Sequence, residues 1–248
     1  MKKIGMVLVA LFLVLSVFTI PSAYAGWPKP GVLIYYGNGG VDPDHEVGPL
    51  TDYYGLKALY DAKGFPATYT DIWPSKLLFF KLIILLGPGT HDDAGTNFFS
   101  DSQVSSLKKF LRLGGHLVVL GDNSGAWGIN TINDLLGKLG VSIRQNADWV
   151  TEDGDSVPPL TDISRDLLTF KVKSLDQSCS SSLTLSGRAK SLLRAPAGET
   201  VMAVDRRLIG FVLVTGDFNI FDDWALTDPA GDGVGDWAQF AMNLVLFG

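Results

Sequence analysis

The feature that most constrains the fold is a regular alternation of short apolar segments with amphipathic ones. Continuous apolar runs at residues 32–36, 82–86 and 117–120 each stop at a glycine-containing turn. The last two runs flank an amphipathic segment that Ser100 and Gln103 can open as a capping box. Strands buried on both faces are apolar throughout, and strands linked through helices pair in parallel. The sequence therefore predicts an α/β fold, a mostly parallel twisted sheet with helices on both faces.

The second half of the chain predicts a β-rich extension of the same domain. The periodicity is irregular from about 146 to 197 and regular again afterwards, which predicts an irregular insertion in a single domain that spans residues 26–248. Strand patterns occupy residues 200–204 and 208–215, and the second of these is expected to pair with its predecessor and to border the main sheet. A terminal helix is expected from Asp236.

The first 25 residues have the pattern of a secretory signal peptide. Lys2 and Lys3 precede an apolar stretch over residues 4–18, and the small residues Ala23 and Ala25 flank a cleavage site. The apolar stretch is shorter than the roughly 20 residues that span a bilayer. We therefore expect export to the periplasm or the outside medium. An uncleaved membrane anchor is the alternative.

Charge and cysteine content narrow the range of partners. The formal net charge is −6, so the surface repels phosphate backbones and nucleic acid is a poor partner. The one cysteine, Cys179, lies in a serine-rich run and cannot form an internal disulfide. We interpret it as a loop thiol without a chemical role.

Two parts of the chain carry a resemblance to a known superfamily. They are the apolar strands and glycine turns at residues 80–89 and 113–122, and the strand at 208–217 with the final residues 243–247. Together they resemble the class I glutamine amidotransferase-like superfamily. The closer likeness is to its non-catalytic members among trehalose-utilisation-type proteins, ABC-transporter auxiliary proteins and an intraflagellar transport N-terminal domain. The resemblance implies a Rossmann-like sheet of the flavodoxin or amidotransferase type.

The resemblance also implies that the catalytic centre of the superfamily is lost. Catalytic members carry a cysteine nucleophile in the turn pattern Gly-x-Cys-x-Gly, and a histidine and a glutamate follow near the end of the domain. The matching turn here is residues 121–125, with Asn123 at the nucleophile position, and all three histidines precede it. An asparagine amide does not attack a carbonyl at neutral pH. We therefore expect no amidotransferase activity.

A different enzyme remains an alternative. Ser124 lies one position beyond Asn123, and His91 follows the strand at 82–86, so the two could form a nucleophile and its base. Such a pair would make the protein an extracytoplasmic hydrolase with a rebuilt active site. For a hydrolase that acts on glycans, pairs of acidic residues across a cleft would supply the acid and the base.

Polar residues collect where the predicted strands end. Parallel strands deliver their carboxyl ends to one edge of the sheet, where open α/β sheets bind ligands. The same residue types are also ordinary in turns and helix caps. As a ligand site, this acceptor-rich set suits hydroxyl-bearing molecules such as carbohydrates, without a cofactor, and another exported protein is the other candidate partner. The candidate binding residues are Asn38, His91, Asp92, Asp122, Asn123, Ser124, Asp217 and Asn219.

An aspartate- and glycine-rich segment near the end of the chain is a candidate metal site. Asp228, Asp232 and Asp236 could supply carboxylate oxygens to Ca²⁺, which prefers six to eight oxygen ligands. Their spacing does not match the EF-hand loop. Asp236 has a simpler use as a cap or first-turn anion of the terminal helix.

Overall fold

A computed structural model describes the chain in segments. The described residues are 30–40, 53–89, 98–122, 128–150, 160–177, 179–207, 209–221, 226 and 236–247. The predicted signal peptide lies outside them, so export and the alternative anchor stay predictions. Within the described segments, no helix combines the length and the apolar character needed to cross a membrane.

Nine strands and four α-helices are found among the described residues. In chain order they are β1 (Gly31–Tyr35), α1 (Tyr54–Ala62), β2 (Ala67–Thr70), β3 (Phe80–Leu85), α2 (Asp101–Arg112), β4 (His116–Leu120), α3 (Ile129–Leu139), β5 (Ile143–Gln145), β6 (Leu183–Leu185), β7 (Lys190–Arg194), β8 (Thr200–Arg206), β9 (Phe211–Thr215) and α4 (Trp237–Leu246). Short 3₁₀ turns occupy Leu77–Phe79 and Asn219–Phe221.

The main sheet has seven strands in the order β2-β1-β3-β4-β9-β8-β7. The first five strands in this order run parallel, and β8 and β7 continue the sheet antiparallel. The chain moves from β1 to β2 on one side and then to β3 on the other side. The strand order therefore reverses between β1 and β3, which is where open α/β sheets form a crevice. The predicted fold class is confirmed.

Local sequence signals account for the elements around this crevice. Strand β4 is buried along its whole length, as the continuous apolar run at 117–120 predicts, and His116 at its start is buried too. The predicted capping box of α2 is present, because Ser100 and Gln103 bond each other's backbone N–H groups. Gly140 ends α3 in the left-handed conformation, with φ of 67°.

Helices cover both faces of the sheet and divide the core into two layers. On one face, α1 and α4 bury Leu56, Tyr60 and Phe240 against the strands. On the other face, α2 and α3 bury Leu107 and Leu135. Alternate residues of each central strand face these two layers, which explains why the buried parts of β3 and β4 are apolar except for His116 at the start of β4.

The structure departs from the sequence prediction in the second half. The segment from 146 to 197 contains β6, which pairs with β5, and β7, which forms an edge of the main sheet. The segment is therefore partly integrated into the sheet. The last strand, β9, pairs with its predecessor β8 as predicted, but it lies inside the main sheet between β4 and β8 and not at its border. Both differences come from long-range pairing that local periodicity does not encode.

Candidate functional site

Asn38 joins three segments at the carboxyl edge of the sheet, beside the point where the strand order reverses. It follows β1 and has a positive φ of 58°. Its backbone carbonyl accepts a 3.0 Å hydrogen bond from the Gly89 N–H in the loop after β3. Its Oδ1 accepts from the Tyr35 hydroxyl at 2.7 Å and from Gln103 Nε2 at 2.9 Å. Asn38 therefore links the first strand, the loop after the third strand and the start of α2.

The polar atoms of the Asn38 side chain form hydrogen bonds with other residues of the protein. Oδ1 has two donors, and Nδ2 donates weakly to the Phe98 carbonyl at 3.3 Å. Burial raises the pKa of the Tyr35 hydroxyl to about 12, so this group stays a donor at neutral pH. The geometry gives Asn38 a structural role at the edge of the crevice.

We expect Asn38→Gly to lower the free energy of unfolding by about 1–2 kcal/mol, because Tyr35 and Gln103 lose their acceptor. Asn38→Ala should cost about 1 kcal/mol more, because alanine is strained at this positive φ whereas glycine is not. Urea denaturation of the two variants measures the difference. Equal losses for Gly and Ala would contradict the conformational part of this prediction.

The ends of β4 and β9 bring Asp122 and Asp217 onto adjacent strands. Leu120 is paired with Thr215, and the N–H of Gly121 donates to the Thr215 carbonyl at 2.8 Å. Asp217 is only 3% exposed. Its Oδ1 accepts a 2.8 Å hydrogen bond from the Asn219 N–H and so opens the 3₁₀ turn Asn219–Phe221.

The serine-rich segment packs over these two strand ends. Ser180, Ser181 and Ser182 are buried, and the Ser181 N–H donates to the Gly216 carbonyl at 3.0 Å. A Cβ atom on Gly216 would overlap the Ser181 carbonyl oxygen. The segment therefore approaches the backbone of β9 at a distance that only glycine allows. We call residues 180–182 the serine cover.

Two buried glutamines tie the serine cover to the strand ends. Gln145 Nε2 donates to the Asp122 carbonyl and, at 2.7 Å, to Ser181 Oγ. Gln177 Nε2 donates to Thr215 Oγ1 at 2.7 Å. Among the described residues, the amide oxygens of both glutamines lack a hydrogen-bond partner although they are buried. Both oxygens are therefore buried acceptors at this edge without a described donor.

Sequence reasoning missed Gln145, Gln177 and the serine cover as parts of the edge. The run from 177 to 182 reads as a polar loop, and nothing local in it shows that it returns to the sheet. The one available signal was the glycine after each strand end, at Gly121 and Gly216, because a close backbone approach requires a residue without a side chain.

The structure describes four of the eight predicted binding residues. Asn38, Asp122, Asp217 and Asn219 all lie at the carboxyl edge. His91, Asp92, Asn123 and Ser124 lie outside the described residues, so the turn at 121–125 and the Ser124–His91 pair stay predictions.

The predicted calcium site is mostly outside the described residues as well, since Asp228 and Asp232 belong there. Asp236 immediately precedes α4, but its carboxylate accepts from the Lys173 N–H at 2.7 Å and does not cap the helix. The cap expected from sequence is thus replaced by a tie to a neighbouring loop. The described segments contain no cluster of three potential metal ligands.

His116 lies at the opposite, amino-terminal end of the sheet. It starts β4, is 1% exposed and stacks on Phe211 with ring centroids 4.6 Å apart. Burial, with a smaller contribution from the positive charge of Lys81, lowers its pKa to about 4, and a hydrogen bond to the Leu244 backbone opposes the shift. Nδ1 has no partner within the described segments. His116 is therefore buried and neutral, with one nitrogen satisfied.

No protein-family model matches the chain, and no curated protein matches it. Solved structures do. The mmIFT52 N-terminal domain is 18% identical with a TM-score of 0.65, covering 87% of this chain and 95% of that one. A cytoplasmic protein from Salmonella typhimurium LT2 is 12% identical with a TM-score of 0.60, covering 86% and 98%.

A glutamine amidotransferase from Thermotoga maritima is also similar. It is 12% identical with a TM-score of 0.53, and the alignment covers 87% of this chain and 95% of that one. Identities this low establish the fold and nothing finer. Together with the strand order, they show that this chain has a mostly parallel α/β fold of the glutamine amidotransferase-like type.

Proposed function

We propose that this protein is an exported, non-catalytic binding or scaffolding module of the glutamine amidotransferase-like superfamily. The observation that carries the proposal is the serine cover, which packs on the ends of β4 and β9, where the superfamily resemblance places the catalytic turn. The superfamily assignment rests on that resemblance together with the shared fold.

The hydrogen bonds at the carboxyl edge support a structural use of its polar groups. Asn38 is bonded by Tyr35 and Gln103, and Asp217 is bonded by the Asn219 N–H. A catalytic acid, base or nucleophile has to reach the substrate instead. The histidine that the structure describes, His116, lies at the other end of the sheet and has a pKa too low for a general base at neutral pH.

The ligand we propose for this edge is a carbohydrate. Gln145 and Gln177 each present a buried amide oxygen without a described partner, and such an acceptor gains most from a hydroxyl donor. Asp122, at the end of β4, is partly exposed, and its backbone carbonyl accepts a hydrogen bond from Gln145. Acceptors of this kind favour hydroxyl groups over anions.

A single preparation tests this function. The full chain is expressed in a secreting host, its mature N terminus is sequenced, and a panel of mono- and oligosaccharides is screened by thermal shift. We expect the sequence to start at Gly26 and at least one sugar to raise Tm. Asp122→Asn should weaken the binding of that sugar by about 1–3 kcal/mol. Asp162→Asn, a control at an exposed residue, should leave the binding unchanged.

Catalysis is assayed on the same protein. Ammonia release from glutamine should equal that of Asn123→Trp, because neither side chain is a nucleophile. Intact Met1 on soluble cytosolic protein, or no response to any sugar, would contradict export or carbohydrate binding respectively. Hydrolysis of nitrophenyl esters or glycosides that is lost in Ser124→Ala would favour the hydrolase alternative.

A further inference from the structure

A cavity of about 490 Å³ opens at the amino-terminal edge of the sheet, opposite the serine cover. It lies between the C-terminal halves of α2 and α3 and the turn that joins β8 to β9. This volume is within the roughly 300–1,000 Å³ of small-molecule sites. The residues that line it are Ser105, Lys108, Leu111, Arg112, Leu139, Arg207 and Ile209.

The cavity wall carries positive charge that the described residues do not fully neutralise. Within the described segments, no ion pair involves Lys108 or Arg112. Arg207 lies 3.6 Å from Asp205, but Arg188 pairs with the same buried carboxylate. One carboxylate therefore serves two arginines, and a positive excess remains next to the cavity.

Hydrogen bonds to the end of α3 hold Arg207 in place. Its Nη2 donates to the carbonyl of Leu139 at 3.3 Å and to that of Gly140 at 3.0 Å, at the end of α3. Its Nε is buried and lacks a partner among the described residues. A guanidinium fixed in this way loses little conformational freedom when it donates to a ligand.

The same cavity has an apolar part. Leu111 and Leu139 are almost fully buried beside it, whereas Ile209 is 60% exposed at its wall. An aliphatic side chain of this size gains free energy when a ligand covers it. The cavity thus combines apolar surface with cationic groups.

Helix dipoles explain part of this arrangement. Cations at the C-termini of helices are stabilised by the negative end of the dipole, which accounts for Arg112 on α2 and for Arg207 against α3. The dipoles do not account for Lys108 together with the exposed Ile209 and an open cavity between them. These features are what a ligand with both an anionic and an apolar part would use.

We propose that this cavity binds a small organic anion, a carboxylate or phosphate monoester that carries an apolar chain or ring. Lys108, Arg112 and the Arg207 guanidinium meet the anionic group, and Leu111, Leu139 and Ile209 meet the apolar part. The net charge of the protein is −6, so attraction of an anion depends on this local excess of positive charge. The site is distinct from the carboxyl edge and does not depend on the function proposed for it.

Octanoate and octyl phosphate, both below their micellar concentrations, are the probes, and isothermal titration calorimetry is the measurement. We expect at least one of them to bind with 1:1 stoichiometry, and acetate and octan-1-ol to bind at least about 10-fold more weakly, because each lacks one of the two parts. The probe that binds more tightly identifies the anion class. Amide shifts at Ser105, Leu111 and Ile209 in NMR spectra should locate it.

Two surface variants test the residues. The double variant Lys108→Gln with Arg112→Gln should lower the affinity for the probe by about 5-fold or more, because each exposed charge contributes modestly to binding. Ile209→Ser should weaken it to a similar degree. The control, Lys109→Gln with Lys190→Gln, makes the same charge change at residues that do not line the cavity. The proposal is overturned if neither probe binds, if octan-1-ol binds as tightly, or if the control has the same effect as the cavity variant.

Discussion

Replacing Gly216 by valine is expected to lower the free energy of unfolding by about 3 kcal/mol or more, the upper range for overpacking a buried site. A Cβ atom at this position would overlap the Ser181 carbonyl and lie 2.8 Å from Ser180 Oγ. The Ser181 carbonyl belongs to backbone that β9 holds through a 3.0 Å hydrogen bond from Ser181 N–H to the Gly216 carbonyl. The serine cover or the end of β9 must therefore shift.

Gly137→Ala is the matched control for this substitution. Gly137 is inside α3, and the nearest atom to its added Cβ is Arg144 Nη2 at an ordinary 3.5 Å. Alanine there should raise the free energy of unfolding by about 0.5–1 kcal/mol, because glycine is the poorer helix former. Urea denaturation measures both, with Gly216→Ala as a milder variant if valine prevents folding. A loss below about 1 kcal/mol for both Gly216 variants would show that the cover is not closely packed on β9.

The parts of the fold that follow from the sequence are those that local patterns encode. The continuous apolar runs predicted β1, β3 and β4, because a strand buried on both faces is apolar along most of its length. The capping box at Ser100 starts α2, and the left-handed Gly140 ends α3. Both signals involve only a few neighbouring residues. Parallel order followed from short links, since strands joined through a helix run in the same direction.

The parts that do not follow depend on contacts between distant residues. Gln145 and Ser181 are 36 positions apart, and their hydrogen bond brings the serine cover to the sheet. The placement of β9 between β4 and β8 also requires pairing with strands on both sides. Such contacts depend on the whole topology. A hydrophobic periodicity of 2 or 3.6 residues indicates a single strand or helix and does not specify which elements pair.

In the candidate site, too, the sequence predicts what is local and does not predict what depends on distant contacts. The position of Asn38 at the carboxyl edge follows from the end of β1, and its role does not. Turn residues and ligand-binding residues are of the same types, and only the bonds to Tyr35 and Gln103 distinguish a structural asparagine from a binding one.

His116 should make the stability of this protein depend on pH between about 6.5 and 4. Its pKa falls from 6.5 to about 4 in the folded state because burial disfavours the charged ring. Between these values the unfolded chain binds a proton that the folded protein does not. Stability is therefore complete above pH 6.5 and declines as the pH falls to 4, by about 3 kcal/mol in total.

His116→Gln removes this titration and keeps a side-chain N–H donor for the Leu244 backbone. We expect its unfolding free energy to be nearly constant between pH 7 and 4, whereas the wild-type value falls by about 3 kcal/mol. The pKa of Asp61 is lowered, mainly by its hydrogen bond from Lys57. This shift changes the stability mainly below the ordinary value of 3.8, and so outside the pH range in which His116 titrates. Urea denaturation at several pH values gives the two slopes, and NMR titration of the ring reports its pKa. Parallel slopes, or a ring pKa near 6.5, would show that the histidine is hydrated and that the amino-terminal edge of β4 is open to water.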